Sequence, residues 1–394
     1  MDLKTSGNPE LNLVLSYGDL SRPGGYRGRV LGELEALDSK IDLDPFLLVF
    51  DRDPQSFEDG FGMEVSHRSI NRSAMVQFYP ALSRLAAKKP IRMIHAHNLY
   101  SAALALSVRW RYGYKVVLDY HGRIPEEFVY LGKGGETSRR SLELLERWCV
   151  RSSDHVVTVS NKLADYVKQR YGISDNKVSV IPCCADENTF VWDSVRRTDV
   201  RRSMNLSAKF VCTHVGSFFE WYDPEMLVSV FQQIQNQVDA HLLVITSEVE
   251  RATAYLGSRL RTGTFLVRYA DHREVPALLN ASDVGFLFLR PSPNIRTSSP
   301  VKFAEYLNCG LPVLITPDVG DYSEFVTRTG AGSVVEHQGL LDTSLVDRVI
   351  RQREDFAFKC STAGKTLTWQ AMTATWSQIL EKIGREIKGQ TLNY

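Results

Sequence analysis

The sequence predicts an α/β protein built from two doubly wound domains, each with a Rossmann-like parallel sheet. Short apolar runs alternate with amphipathic segments along the first half of the chain, which is the pattern of parallel strands and crossover helices. The alternation restarts after a polar stretch at 192–207, which is typical of a linker. A length of 394 residues also exceeds what one hydrophobic core usually organises. We therefore expect an N-terminal domain at 1–190, a second domain at 191–367 and a C-terminal helix at 368–394.

Six strands are predicted in the first half. Each is a compact apolar run bounded by turn residues, and helical segments separate most of them. The predicted strands are residues 11–16, 46–50, 91–96, 115–120, 154–160 and 177–182. Helices are predicted at 30–37, at 74–89 and around 142–149, whereas the polar stretch 52–73 predicts an irregular surface segment.

A glycine-rich loop at 21–28 follows the first strand. Gly24 and Gly25 would let bare backbone approach a phosphate or a sugar. The loop matches neither the GxGxxG fingerprint nor a Walker loop, so a plain tight turn explains the same residues. It is a candidate binding element with that alternative open.

Polar side chains follow two predicted strands of the first half. His95 and His97 lie near the end of the third strand, where open α/β sheets place their ligands, although a structural histidine is the simpler interpretation. His121 follows the fourth strand, and Glu126 and Glu127 come shortly afterwards. A histidine at a strand end with carboxylates nearby can position a sugar hydroxyl or a leaving group. We therefore take His121 and Glu127 as candidate catalytic residues.

The second half repeats the strand and helix pattern, and Pro224 opens one of its helices. The predicted strands are residues 209–215, 240–246, 264–269, 283–289 and 311–315. A further helix is expected near Glu324, and the amphipathic segment 368–387 predicts the long C-terminal helix.

A short helix in the second half carries the clearest candidate site. Ser299 fits an N-cap, and Pro300 fits the first helical position. Val301 and Lys302 follow, so the open helix start offers backbone N–H groups, the helix dipole and one ammonium to an anion. Glu305, one turn further on, could accept hydrogen bonds from a ribose diol. Phosphate and diol together indicate a nucleotide, although many helices in α/β proteins begin this way for structural reasons alone.

Composition limits the possible function classes. A net charge of +1 gives no global argument for nucleic acid. Six scattered cysteines without a CxxC pair favour a reducing compartment and no structural zinc. The N-terminal residues lack the apolar region of a signal peptide, and no run of about 18 apolar residues occurs, so we expect a cytoplasmic protein without a membrane span. No cofactor or metal is expected, because the DxD match at 51–53 is more simply a loop.

The helix described above resembles the donor-nucleotide motif of GT-B glycosyltransferases, especially the retaining group called family 4. In that family a small residue, a proline and a lysine open a helix, a glutamate follows, and a Gly-x-Pro-Val turn closes it. The matching residues here are Ser299, Pro300, Lys302, Glu305 and Gly310-Leu311-Pro312-Val313. The likeness is strongest over 279–326 and moderate over 115–190. Within the second range, Ile181, Pro182, Asp186 and Phe190 match the family's crossing between domains.

The resemblance implies two Rossmann-like domains that face each other across a cleft, with the C-terminal helix crossing back to the first. It also implies an acceptor-side first domain and a second domain that binds a nucleotide-sugar. In such a site His121 would lie over the transferred sugar, Glu305 would hold the ribose, and the helix start at Ser299–Lys302 would assist departure of the diphosphate.

Two departures from the family pattern concern the donor site. Thr297 stands where the family usually has a glutamate eight residues before Glu305. The turn after the first strand of the second half, 216–224, reads GSFFEWYDP and lacks the Arg and Lys that usually hold the diphosphate. Ser217 could supply one hydrogen bond there. The cations that could compensate are Arg290, Arg296 and Lys302.

Three functions remain open at this level. The first is transfer of a sugar from a nucleotide-diphosphate-sugar to an acceptor hydroxyl, metal-independent and retaining by family analogy, in bacterial glycan or polysaccharide synthesis. The second is a non-catalytic nucleotide-sugar-binding partner subunit, and the third is a nucleotide-sugar epimerase. UDP is favoured slightly over GDP. The acceptor is expected to be a glycan or a lipid-linked sugar. Arg109, Arg111 and Lys115, with Trp110 and Tyr112 between them, could rest on an anionic membrane surface, or form a solvated helix end.

Overall fold

The protein is described by a computed structural model, whose contacts divide the chain into two compact units. The described residues are 10–18, 20, 24–39, 41, 45–51, 65–69, 74–337, 339–342 and 344–391. One unit comprises Met1–Pro182 with Met372–Tyr394, and the other comprises Cys183–Ala371. Each unit has its own parallel sheet.

The first unit is a seven-stranded α/β layer structure. Its strands are β1 (Leu11–Tyr17), β2 (Pro45–Asp51), β3 (Val65–Ser69), β4 (Ile91–His97), β5 (Lys115–Tyr120), β6 (His155–Thr158) and β7 (Val178–Val180). Its helices are α1 (Gly25–Ser39), α2 (Ala74–Ala86), α3 (Asn98–Tyr112), α4 (Ile124–Tyr130), α5 (Glu136–Ser152) and α6 (Asn161–Tyr171). The sheet order is β3-β2-β1-β4-β5-β6-β7, and its pairs are parallel.

The six strands predicted in this half are all present, and one strand was missed. Residues 52–73 were predicted to be irregular, but β3 lies within them and pairs in parallel with β2. Its sequence, VSHRS, has a single apolar residue, so hydrophobic patterning could not reveal an edge strand. Of the loop predicted at 51–53, Asp51 ends β2, and the other two positions lie outside the described residues.

The second unit repeats the architecture with six strands. Its strands are β8 (Phe210–Val215), β9 (Ala240–Ile245), β10 (Phe265–Arg268), β11 (Val284–Leu287), β12 (Val313–Ile315) and β13 (Gly332–Val334). Its helices are α7 (Ser194–Ser203), α8 (Pro224–Gln235), α9 (Val249–Gly257), α10 (Val275–Asn280), α11 (Val301–Asn308), α12 (Tyr322–Thr329), α13 (Ser344–Arg351) and α14 (Arg353–Gly364). The order is β10-β9-β8-β11-β12-β13.

The predicted linker at 192–207 is wrong, because α7 occupies most of it. Asp193 caps this helix by accepting a hydrogen bond from the N–H of Arg196. On the buried side, Arg201 donates to Asp283 Oδ2 at 3.0 Å. An ion pair therefore stands where hydrophobic patterning requires apolar side chains.

The last helix, α15 (Trp369–Thr391), returns to the first unit, as the resemblance implied. Trp376, Ile379 and Ile383 on it are buried, and the Trp376 ring packs edge-on against His95 of β4, with the ring centroids 4.7 Å apart. Among the helices that the structure describes, none has the length and apolarity needed to cross a bilayer.

Sheet order fixes where ligands are expected. In each unit the order reverses beside the first strand, between β1 and β4 and between β8 and β11. Open α/β sheets bind ligands at such switch points, beyond the carboxyl ends of the strands. The α11 candidates of the second unit follow β11, and in the first unit the glycine loop follows β1, whereas His121 follows β5, the neighbour of β4.

Candidate functional site

The start of α11 lies one residue later than predicted. Pro300 is the N-cap with extended backbone, φ −60° and ψ 119°, and within the described part of the chain no side chain caps the helix. The predicted N-cap role of Ser299 is therefore wrong, as is the placement of Pro300 at the first helical position. The Ser299 hydroxyl instead accepts from the N–H of Cys183 at 2.9 Å and hydrogen-bonds the Tyr322 hydroxyl at 2.6 Å. Both partners lie outside α11, so the hydroxyl is used in tertiary contacts.

Lys302 and Glu305 form an ion pair in the first turns of α11. Lys302 Nζ lies 2.9 Å from Glu305 Oε2, and the Glu305 side chain is 2% exposed whereas that of Lys302 is 20% exposed. The first-turn N–H groups of a helix have no acceptor within the helix. The helix start therefore places one accessible cation beside backbone donors, above a buried carboxylate.

Tyr306 and two glycines fix the position of this helix. Tyr306 packs over Gly285 of β11, where a Cβ would lie 2.6 Å from the ring, and its hydroxyl accepts from the N–H of Val215 at 2.9 Å. α11 is thus tied to the ends of β8 and β11. Gly310 closes the helix with φ +67°, as predicted for a helix stop.

The turn after β8 contains a carboxylate that was not anticipated. Glu248 Oε2 accepts from the Ser217 hydroxyl at 3.1 Å and from the N–H of Phe218 at 2.6 Å. The Ser217 hydroxyl, which we expected to reach a diphosphate, therefore donates to the Glu248 carboxylate. Arg290, predicted to compensate, does lie at this turn, because its Nη1 donates to Phe219 O at 3.2 Å.

Thr297 and Arg296, just before α11, differ in exposure. Thr297, the departure from the family pattern, is 6% exposed, and its hydroxyl donates to Asn294 O at 3.2 Å. Arg296 is largely exposed and lies 3.6 Å from Asp318 Oδ2.

In the first unit, His121 belongs to a polar cluster at the carboxyl ends of β4 and β5. His121 Nε2 lies 2.7 Å from Asp119 Oδ2, and Arg29 of α1 binds the same carboxylate through Nε at 2.7 Å and Nη2 at 2.8 Å. Burial alone would raise the pKa of Asp119, but Arg29 and His121 hold it well below its usual range. Asp119 is therefore a carboxylate at neutral pH.

His97 and Glu33 extend this cluster inward. His97 Nδ1 lies 3.0 Å from Asp119 Oδ2, while its Nε2 lies 3.6 Å from Glu33 Oε2. Burial raises the pKa of Glu33 well above its usual range and lowers that of His97 to about 4. Burial likewise lowers the pKa of His95. These three side chains are therefore uncharged near neutral pH.

The same cluster could hold a metal ion. Ligand atoms of Glu33, His95, His97 and Asp119 lie within 4.8 Å of one another. Asp119 is already bound by Arg29 and His121, whereas the Glu33 oxygens, both His95 nitrogens and His97 Nε2 have no hydrogen-bond partner among the described residues. A cation would thus find three ligands, provided Glu33 ionises.

The predicted glycine loop leads directly to His121. Gly24 is exposed and Gly25 begins α1, so the helix starts earlier than predicted. The next residue, Tyr26, lies beside His121 with ring centroids 5.5 Å apart. Its hydroxyl accepts from Asn98, which follows β4 with φ +73°. The structure therefore brings Tyr26, at the end of this loop, next to His121, whereas a Cβ at Gly24 or Gly25 would meet no described residue within 4 Å.

Glu127, the other candidate catalytic residue, lies in the first turn of α4 and is half-buried. Its negative charge raises the pKa of Tyr100, after the larger effect of burial. Its catalytic role stays a prediction.

Sequence reasoning missed Asp119, Arg29 and Glu33. A signal for each was present: Asp119 follows three apolar residues in β5, and Arg29 and Glu33 lie four residues apart on α1. Two charged residues at that spacing share one face of a helix, and here that face is buried.

Two doubly wound units in one chain, each with a parallel sheet, are typical of the GT-B class. So is a helix in the second unit that carries a lysine and a glutamate in its first turns. Two family models match: Glycosyltransferase Family 4 over residues 44–189 and Glycosyl transferases group 1 over residues 209–355. The chain belongs to this family of GT-B glycosyltransferases.

Solved structures agree on the fold. Sucrose-phosphate synthase from Thermosynechococcus elongatus has a TM-score of 0.73 at 17% identity, over 96% of this chain and 100% of that one. Anabaena HepE in complex with UDP and glucose has a TM-score of 0.70 at 14% identity, over 95% and 100%. A glycosyltransferase from Rickettsia africae ESF-5 has a TM-score of 0.69 at 15% identity, over 95% and 99%. No curated protein sequence matches the chain.

Proposed function

We propose that this glycosyltransferase moves a sugar from a UDP-sugar to a hydroxyl of a glycan or lipid-linked acceptor, with retention and without a metal ion. The observation that carries the proposal is the start of α11, where an accessible ammonium, uncapped backbone N–H groups and the Glu305 carboxylate meet at one switch point. Uridine as the nucleoside of the donor is supported by the HepE structures, which contain UDP or UDP-glucose. Bacterial glycan synthesis is the proposed setting.

The chemistry follows from charge and position. Transfer leaves a nucleoside diphosphate, whose developing charge the helix dipole, the N–H groups and Lys302 would stabilise. Glu305 would accept from the ribose hydroxyls after a small shift of the Lys302 side chain that covers it. Arg290, held at the turn after β8, would supply a second cation to the diphosphate.

Calorimetric titration tests the donor site. UDP, GDP, ADP, CMP and uridine are titrated without metal into the wild type, Glu305→Ala and Lys302→Met. We expect UDP to bind and Glu305→Ala, which removes the acceptor of the ribose hydroxyls, to abolish binding. Lys302→Met should weaken UDP by roughly 10- to 100-fold, because a charge-assisted hydrogen bond is worth about 1.5–3 kcal/mol, and should hardly affect uridine.

Lys209→Met is the matched control, because Lys209 pairs with Asp239 before β8, at the opposite end of that strand. Equal loss of UDP binding in Lys209→Met and Lys302→Met would contradict the proposed site. Absence of binding for all four nucleotides would reject it.

A second candidate, a nucleotide-sugar binder without transfer activity, is favoured by one observation. Glu248 occupies the turn where the family places two cations, and this carboxylate would repel a diphosphate. Release of UDP from UDP-sugar in the presence of candidate acceptors distinguishes the two. Binding without release under any acceptor would favour this second function.

We also propose a cytoplasmic location with peripheral contact to an anionic membrane. Trp110 on α3 is 81% exposed and lies between two arginines. However, Arg109 and Lys115 already pair with Asp154, at 2.9 and 3.2 Å, which leaves Arg111 and Trp110 as the contacting residues. Flotation with anionic vesicles should recover the wild type and lose Trp110→Ala. Equal flotation of both would reject this surface.

A further inference from the structure

Asp119 is the centre of a buried hydrogen-bond arrangement that no sequence motif suggested. The carboxylate is fully buried, and Arg29 binds both of its oxygens. The remaining nitrogen of Arg29, Nη1, donates to the carbonyls of Ile181 and Pro182 at 2.9 and 3.0 Å. Arg29 is thus held at every nitrogen, and it holds Asp119 in one orientation.

The donors around Asp119 determine where the proton of His121 lies. Asp119 Oδ2 accepts from Arg29 Nε at 2.7 Å and hydrogen-bonds His121 Nε2 at 2.7 Å, while His97 Nδ1 lies 3.0 Å from Asp119 Oδ2 and 3.4 Å from His121 Nε2. A carboxylate whose two oxygens are both bound by Arg29 can only accept, so His121 Nε2 must carry the hydrogen of its bond to Oδ2. A neutral His121 therefore carries its hydrogen on Nε2, and its Nδ1 is left with a lone pair.

The position of His121 suits contact with a ligand. Its side chain is 18% exposed, whereas Asp119 and His97 are fully buried. The ring lies against Tyr26 at the start of α1. The buried groups therefore orient the ring from its buried side, and His121 is the member of the cluster that a sugar could reach.

We propose that Asp119, oriented by Arg29 and His97, is a positioning residue that fixes the Nε2–H form of His121 and leaves Nδ1 to accept a hydrogen bond from a hydroxyl of the transferred sugar. This inference rests on the proposed function for its catalytic consequence. The protonated nitrogen of His121 does not depend on the proposed function and can be measured separately.

The first experiment measures the tautomer. Long-range ¹⁵N–¹H correlation spectra of the uniformly labelled wild type, with His121→Asn to assign the ring, report which nitrogen of His121 is protonated. We expect hydrogen on Nε2 and an unprotonated Nδ1 near pH 8. A ring protonated at Nδ1 would overturn the proposal, whatever the protein catalyses.

The second experiment removes the acceptor while preserving the fold. The double variant Arg29→Met with Asp119→Leu replaces the buried ion pair by apolar side chains of similar size, a change that proteins often tolerate. With UDP-glucose as the probe, we expect its turnover, measured as UDP release, to fall roughly 10- to 100-fold in kcat. KM for UDP-glucose and Kd for UDP should stay within about twofold.

The His121→Asn background separates positioning from a structural role. If Asp119 acts through His121, the double change adds no further loss of kcat once His121 is absent. Additive losses, or an equal fall in UDP affinity, would assign Asp119 and Arg29 a structural role only. If the wild type neither binds UDP nor releases it from UDP-glucose, the proposed function fails, while the tautomer measurement still decides the geometry.

Discussion

Glu146 on α5 shows how one buried side chain can set the pH response of a whole unit. Its side chain is fully buried, and its Oε2 accepts from the Tyr171 hydroxyl. Burial raises the pKa of Glu146 from 4.5 to about 7, although the Tyr171 hydrogen bond lowers it in part. The folded protein therefore retains a proton at pH 6 that the unfolded chain has released.

We predict that the unfolding free energy of the first unit falls as pH rises from about 5 to 7.5. In that interval the folded state binds one more proton than the unfolded state, so stability is greatest below the unfolded pKa and is lost through the folded one. The full effect is roughly 3 kcal/mol, from about 1.4 kcal/mol per pKa unit. Urea unfolding of wild type and Glu146→Gln across this range measures it.

Glu146→Gln keeps an acceptor for Tyr171 and removes the titration. The difference in unfolding free energy between the two proteins should therefore depend on pH, whereas groups common to both cancel. Parallel curves for the two proteins would show that Glu146 is ionised in the folded state.

At the scale of the element, Gly320 controls the approach of the chain to α11. Its φ is +45°, and a Cβ there would lie 1.9 Å from the carbonyl oxygen of Ser298. Its N–H donates to Ile295 O at 2.9 Å. The segment before the helix is thus packed directly on this glycine.

Gly320→Ala is expected to destabilise the second unit by at least about 2 kcal/mol, since backbone strain and a clash with backbone act together. UDP binding should weaken as well, because Ser298 must move. Gly263→Ala is the matched control: Gly263 has φ +84° but open space around its Cβ position, so it reports the strain alone. Urea unfolding of both variants measures the difference, and equal losses would show that the contact with Ser298 is unimportant.

Most elements of this fold could be predicted because parallel strands buried on both faces are continuous apolar runs. Two exceptions, β3 and α7, have largely polar sequences. β3 is an almost wholly polar edge strand, and α7 buries Arg201 against Asp283 in place of an apolar stripe. Patterning measures only hydrophobicity, so neither could be found by it.

The candidate site was predictable only as far as local chemistry decides it. The lysine and the glutamate of α11 follow from spacing along one helix. The role of Ser299 does not, since its partners, Cys183 and Tyr322, are distant in sequence. Ser217 is a similar case, because Glu248 reaches it from the end of another strand.

At the scale of the whole molecule, the last helix completes the core of the first unit. Trp376 of α15 is 1% exposed and packs against His95, although about 280 residues separate them in sequence. Exchanging a buried tryptophan for alanine typically costs about 3–5 kcal/mol, since it removes apolar burial and leaves a cavity. The first unit therefore depends on residues made after the second unit is complete.

Trp376→Ala should accordingly lower the melting transition of the first unit and leave that of the second in place, because each unit has its own core. Differential scanning calorimetry, with UDP added to mark the second unit by its upward shift, resolves the two. Trp110→Ala is the control, since that side chain is 81% exposed and its loss should change stability by less than about 0.5 kcal/mol. If both transitions fall together in Trp376→Ala, the units unfold as one cooperative body, and the last helix stabilises the molecule and not one unit alone.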